Sequence, residues 1–197
     1  MKLPSHNSKC GTRDCNSGFT LLEVLIAMVV LSVGMLSMLA VLATGLSSGQ
    51  TVQEDMLARQ LASEGLEGVY TARNTAQIQW VAIQNAANGG IFLDGLQPML
   101  NEGPDGIPNT ADDGTLPGVP QQLQMTTPGP DGILGTGDDV IVPLTNYQRQ
   151  VQILPVNLPN GTINQNLRQI VVRVRYYTPL TPTAKNYTVT GYVSAFR

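Results

Sequence analysis

Sulfur and imidazole are almost missing from this sequence. Its 197 residues hold two cysteines, Cys10 and Cys15, and one histidine, His6, and all three lie within the first eighteen residues. Everything after them lacks a disulfide, a thiol nucleophile, imidazole acid/base chemistry and a His/Cys zinc site. Charge is scarce too. Only 13% of residues are charged, and the 11 basic ones are scattered, so no Lys/Arg patch follows a phosphate backbone and nucleic acid is not an expected ligand. Beyond the first eighteen residues there is one lysine, Lys185, and one tryptophan, Trp80. Few groups remain for nucleophilic or sugar-stacking chemistry, so an enzyme is not expected.

One apolar run stands out against this background. Val24 to Leu46 is a 23-residue stretch without a charge, long enough to cross a bilayer as a helix. Lys2, Lys9 and Arg13 precede it, which places the N-terminus in the cytoplasm and the residues after about Ser47 on the far side. A secretory signal peptide would put its small-residue cleavage site after the run, where Ala40–Gly45 offers a poor match. An uncleaved signal anchor is physically acceptable. Removing Lys2, Lys9, Arg13 and Asp14 from 11 basic and 14 acidic residues leaves 8 and 13, a net charge of about −5 for residues 19–197.

The residues Gly18-Phe19-Thr20-Leu21-Leu22-Glu23-Val24-Leu25-Ile26-Ala27 resemble the class III prepilin signal of type IV pilins and type II secretion pseudopilins. The resemblance implies cleavage between Gly18 and Phe19 by a prepilin peptidase, N-methylation of Phe19, and later association with an inner-membrane assembly platform and other pilin subunits. Glu23 requires a physical account of its own, because an ionised side chain at the bilayer centre costs about 2.5–3.5 kcal/mol. Headgroup solvation at the membrane edge is one answer. The resemblance implies another, a pair between Glu23 and the Phe19 amine of a neighbouring subunit, which would fix axial register.

After Gly45 and Ser47-Ser48-Gly49 the helical period resumes. Val52, Met56, Leu57, Leu61, Leu66, Val69 and Tyr70 form an apolar stripe expected to face a globular head, with Glu54, Asp55, Glu64 and Glu67 turned elsewhere. Thr51 and Glu54 have capping-box spacing, so a helix can restart there if the glycines melt. Asn88-Gly89-Gly90 marks the end of helical character, and the amphipathic helix is expected over 47–90; a regular helix from about Phe19 to Asn74 would be roughly 85 Å long, too long for a head of about 100 residues to cover. Ala62-Ser63-Glu64-Gly65-Leu66-Glu67 further resembles minor pilins of the PilV-like kind and the smaller pseudopilins.

A duplicated acidic motif follows. Residues 103–113, GPDGIPNTADD, recur 26 residues later as GPDGILGTGDD at 129–139, with eight of eleven positions identical. Pro-Asp-Gly specifies a turn, and later carboxylates let oxygens converge on a hard cation, which takes six to eight of them. Asp105, Asn109, Asp112 and Asp113, with Asn101 as a further donor, resemble the aspartate-rich calcium repeats of thrombospondin type 3 modules. Asp131, Asp138 and Asp139 form the second set, with Gly135 where the first has Asn109. Neither copy is an EF-hand. Two solvated acidic turns without a metal are the alternative to Ca2+.

Three segments alternate like half-buried antiparallel strands: Tyr147 to Leu154, Leu167 to Tyr177 and Tyr187 to Phe196. Ile170, Val172, Val174 and Tyr176 read as the inner face, Arg173 and Arg175 as the solvated one. The expected fold is α+β and pilin-like: a cleaved leader (1–18), a transmembrane or filament-core helix (19–46), the amphipathic helix (47–90), an acidic loop region (91–146) and a β-meander (147–197). The expected function is that of a minor pilin of a type IV pilus, in the inner membrane and then in the filament. A periplasmic type II secretion pseudopilin is the alternative, and a signal-anchored enzyme or sugar-binding module is the alternative from another class.

Overall fold

The structure, a computed structural model, describes residues 20–178 and 181–196, except for the side chains of residues 181 and 182. Gly18 and Phe19, the expected cleavage site, lie outside the described residues. The chain divides into two compact units, residues 1–45 and 46–197. Helix α1, Leu21–Asn74, contributes to both.

In the first unit α1 opens on Thr20, whose hydroxyl accepts the Glu23 N–H at 3.2 Å. Thr20 and Glu23 have the T-x-x-E spacing of a capping box, a start signal that the sequence carries within the prepilin-like motif. Every residue from Leu21 to Leu46 is exposed. The hydroxyls within this stretch are satisfied by the helix itself. Ser32, Ser37 and Thr44 donate to the carbonyls of Met28, Val33 and Ala40 at 2.6–2.7 Å, so the run presents no stranded hydroxyl to an apolar medium. The helix does not melt at Gly45–Gly49. Thr51, expected as a possible restart cap, donates to Ser47 O at 3.0 Å from inside the helix.

In the second unit the C-terminal part of α1 packs on a four-stranded antiparallel sheet of order β1-β4-β5-β6. The strands are β1 Gln97–Pro98, β4 Tyr147–Asn157, β5 Ile163–Thr178 and β6 Thr181–Ser194, while β2 Gln124–Thr127 and β3 Val140–Pro143 form a separate hairpin. The meander is therefore where the alternation puts it, with longer strands. Tyr147, Val151 and Ile153 of β4 and Ile170, Val172, Val174 and Tyr176 of β5 are buried, and Val151 faces Val172 across the ladder. An α+β pilin fold accounts for this architecture.

The helix face follows the expected stripe in part: Leu61 and Val69 are buried and Leu57, Leu66 and Tyr70 pack against the core. Val52 and Met56, however, are 52% and 66% exposed, and the buried face is extended by Ala58, Ala62, Gly65 and Ala72. Small residues win because the sheet approaches closely. A Cβ on Gly65 would stand 3.1 Å from both Arg149 Cδ and Val172 Cγ1. The helix also stops at Asn74, well short of residue 90. Ala76 turns left-handed at φ 63° and Ile78 N–H bonds Ala72 O at 3.2 Å, which brings Ile78 into the core. Residues 80–82 and 86–88 are only 3₁₀ turns, the second ended by Gly89 at φ 82°. Arg168 holds this segment on β5, its guanidinium 4.3 Å from the Trp80 ring centre and donating to Ile83 O at 2.6 Å. The single tryptophan is thus a packing residue.

Candidate functional site

Two regions carry the chemistry singled out in the sequence. In the first unit, Glu23 is the only charged residue between Leu21 and Leu46. It stands in the first turn of α1, where the exposed backbone N–H groups and helix dipole favour a negative charge. The helix after it is apolar on all sides, and its most apolar 18-residue window has mean hydropathy 2.7 with none of it buried. A helix that is apolar all round requires lipid or other helices about it.

The second region is the first acidic loop. Pro104-Asp105-Gly106 forms the expected turn, closed by Gly106 N–H to Gly103 O at 3.0 Å, with Gly106 at φ 61°. The carboxylates then stitch the loop to its own backbone. Asp105 accepts from Ile107 N at 2.9 Å, Asp112 from Asp105 N at 3.2 Å, and Asp113 from Asn109 N at 2.8 Å. The Thr110 hydroxyl donates to Asp112 Oδ1 at 2.6 Å. Gly103 leaves no room for a Cβ, which would collide with the carbonyl and carboxylate of Asp112.

This loop is docked. Ile107, Asn109 and Thr110 are at most 3% exposed, and a Cβ on Gly68 of α1 would come within 2.8 Å of Pro108 Cδ. Asn109, at φ 64°, donates through Nδ2 to Arg149 O at 3.1 Å and accepts from Arg149 Nε at 3.0 Å. Arg149 is 2% exposed, and its Nη1 lies 3.5 Å from Glu64 Oε1. The sequence reading passed over Arg149. Its signal was phase: it alternates with Tyr147, Val151 and Ile153 and therefore points inward.

The second loop repeats most of the stitching without the docking. Asp131 accepts from Ile133 N at 2.8 Å, Asp138 from Asp131 N at 3.3 Å and Asp139 from Gly135 N at 2.6 Å, and Thr136 donates to Asp138 Oδ1 at 2.5 Å. Gly129 is as tightly closed against Asp138 as Gly103 is against Asp112. This loop connects β2 to β3, and Ile133 and Leu134 are each 60% exposed. Eight shared positions encode one turn, and two of the three that differ, Pro108 and Asn109 against Leu134 and Gly135, decide whether it is anchored.

Electrostatics separates the loops as well. Burial pushes the Asp113 and Asp105 carboxyls above their usual range, and the Asp112 charge adds to the effect on Asp105. Burial likewise raises Glu102, with the Glu64 charge next. Burial opposes ionisation of Asp112 too, but the Thr110 hydroxyl and the Asp105 N–H outweigh it and hold that carboxyl low. In the exposed loop the Thr136 hydroxyl, followed by the Asp131 N–H, holds Asp138 low. Burial makes Arg149 less basic, an effect that the charges of Glu64, Glu102 and Asp113 only partly offset.

A calcium ion needs six to eight oxygens converging on one point. In both loops carboxylate oxygens already accept from backbone N–H groups and a threonine hydroxyl. The Asn109 amide is committed to Arg149, and Asn101 Nδ2 donates to Gln122 O at 3.2 Å. Among the described residues no group of three or more His, Cys, Asp or Glu side chains is arranged to hold a metal. Of the carboxylate oxygens in the two loops, Asp139 Oδ1 is buried without a hydrogen-bond partner.

Comparison with known proteins bears on the first region. Residues 13–39 match the family model described as the prokaryotic N-terminal methylation motif. No curated protein and no solved structure matches the chain.

Proposed function

We propose that this chain, type IV prepilin-like by its N-terminal methylation motif, is cut between Gly18 and Phe19, methylated on Phe19, and built into an extracytoplasmic filament as a minor pilin. The observation that supports this most is the continuity of the motif with the 26 residues from Leu21 to Leu46, all exposed and interrupted by one charge, Glu23. Such a surface is stable in lipid before assembly and among other helices afterwards. The motif indicates a structural subunit, and the C-terminal part of α1 with its sheet forms the head that subunit would display. Glu23 meets the Phe19 amine of a neighbour in this reading.

The acidic loops close through their own backbone in this proposal, with calcium dispensable. Deleting the gene tests the subunit's role. Loss or shortening of surface filaments is the expected result, and loss of protein secretion with filaments intact would instead favour a secretion pseudopilus.

A further inference from the structure

All 14 acidic residues lie at or before Asp139, whereas residues 140–197 contain six basic residues and no acidic one. Of those six, Arg197 lies outside the described residues. Three others have partners within the chain: Arg149 meets Glu64 and Asn109, Arg168 covers Trp80, and Lys185 lies 3.2 Å from Asp55. Arg173 and Arg175 remain, both turned to the outer face of β5; Arg175 donates to the Tyr177 hydroxyl at 3.1 Å, and neither arginine meets a carboxylate among the described residues. Ladder register places Gln150 and Thr188 beside Arg173, and Gln148 and Asn186 beside Arg175. The face is polar, cationic and free of acid.

The second acidic loop is its complement. Asp131, Asp138 and Asp139 form no ion pair among the described residues, although the same turn in the first loop is anchored on Arg149. One copy of the motif therefore has its arginine within the chain, and the other has none.

We propose that the second acidic loop of one copy docks on the Arg173 and Arg175 face of β5 in a second copy. The occupant is a second copy because the chain carries both halves, and because its charges are segregated along the sequence as two complementary surfaces require. Loop and face are different surfaces, so the contact is heterologous: each copy offers one of each and the association propagates. The proposal rests on the charge arrangement and does not depend on cleavage after Gly18.

Cysteine cross-linking of the full chain in membranes tests it, on a Cys10→Ser, Cys15→Ser background. Leu134→Cys and Thr188→Cys place thiols on the loop and beside Arg173, and oxidation should give dimers and higher species. Arg173→Glu with Arg175→Glu should cut their yield about tenfold, as should raised salt. In the loop, Gly137→Lys with Asp131→Asn, Asp138→Asn and Asp139→Asn, which leaves the loop with a net positive charge, should do the same. The lysine enters open space, and each asparagine keeps one oxygen for the backbone N–H it accepts from, while the Thr136 hydroxyl keeps its bond to Ile133 O. Combining face and loop changes should restore the yield. Cross-links indifferent to charge, no recovery in the combined chain, or linkage to other proteins in place of a second copy would each overturn the proposal, and an unmodified Phe19 amine would not.

Discussion

At the residue scale, Asn109 shows how one altered position in a repeated motif can change its work. Gly135 occupies the same place in the second loop, where its N–H still donates to Asp139, whereas Asn109 ties the first loop to Arg149 by two hydrogen bonds. Asn109→Gly removes the side chain without straining a backbone at φ 64°. It should therefore destabilise the protein by about 1–3 kcal/mol by leaving buried groups of Arg149 unpartnered. Thermal melting of the full chain in detergent checks this, and an unchanged midpoint would mean that the loop is held by Ile107 and Pro108 alone. Glu23 is the other decisive residue. Glu23→Ala should leave membrane insertion and cleavage intact while lowering incorporation into filaments, read by immunoblot of membrane and sheared fractions. Equal incorporation would leave Glu23 as an interfacial residue solvated by headgroups.

At the scale of elements, the acidic loops give the chain a pH dependence with a definite sign. Glu102, Asp105 and Asp113 have raised carboxyl pKa values in the folded state, so the folded protein binds their protons more tightly than the unfolded chain does. Their contribution to stability is fully present below the ordinary values of about 4.3 and 3.9 and is lost as pH rises through the raised folded values. Asp112, held low, contributes in the opposite sense, and loses its contribution only as pH falls below the ordinary carboxylate range. Lowering pH from about 7 to about 5 should therefore raise the melting temperature, and Asn109→Gly, by undocking the loop, should flatten that rise. A steady fall over the same range would contradict the burial of these carboxyls. Millimolar calcium should leave the melting temperature of the full chain unchanged relative to a chelator, given where the carboxylate oxygens already point. An increase abolished by Asp105→Ala with Asp131→Ala would restore the calcium reading.

Much of this was legible in the chain before any coordinates. The helix start at Thr20, the apolar run and the alternation of Ile170, Val172, Val174 and Tyr176 are local patterns that tertiary contacts had no reason to override. The end of α1 was not fully legible, with Asn74 and residue 90 both offered, because the burial of Ile78 reverses the chain at Ala76 without a glycine. Nor was the whole of the buried helix face, since Ala58, Ala62 and Gly65 are selected by how closely the sheet approaches. The duplicated loops were visible as turns, but the same eleven-residue pattern could not reveal that one copy is anchored by an arginine 40 residues away from Asn109.

At the scale of the whole molecule, the chain combines a helix segment with no packing of its own and a head with a complete core. Leu21 to Leu46 is exposed throughout, whereas the second unit buries Phe92, Met99, Ile170 and Val172 almost completely. A protein that leaves so long an apolar surface uncovered is built to be completed by lipid and then by other subunits. Everything in that account begins with one processing event. Mass spectrometry of the N-terminal peptide from the membrane or filament form should therefore find the chain starting at N-methylated Phe19, whereas an intact leader, or a mature terminus near Ala43, would contradict it.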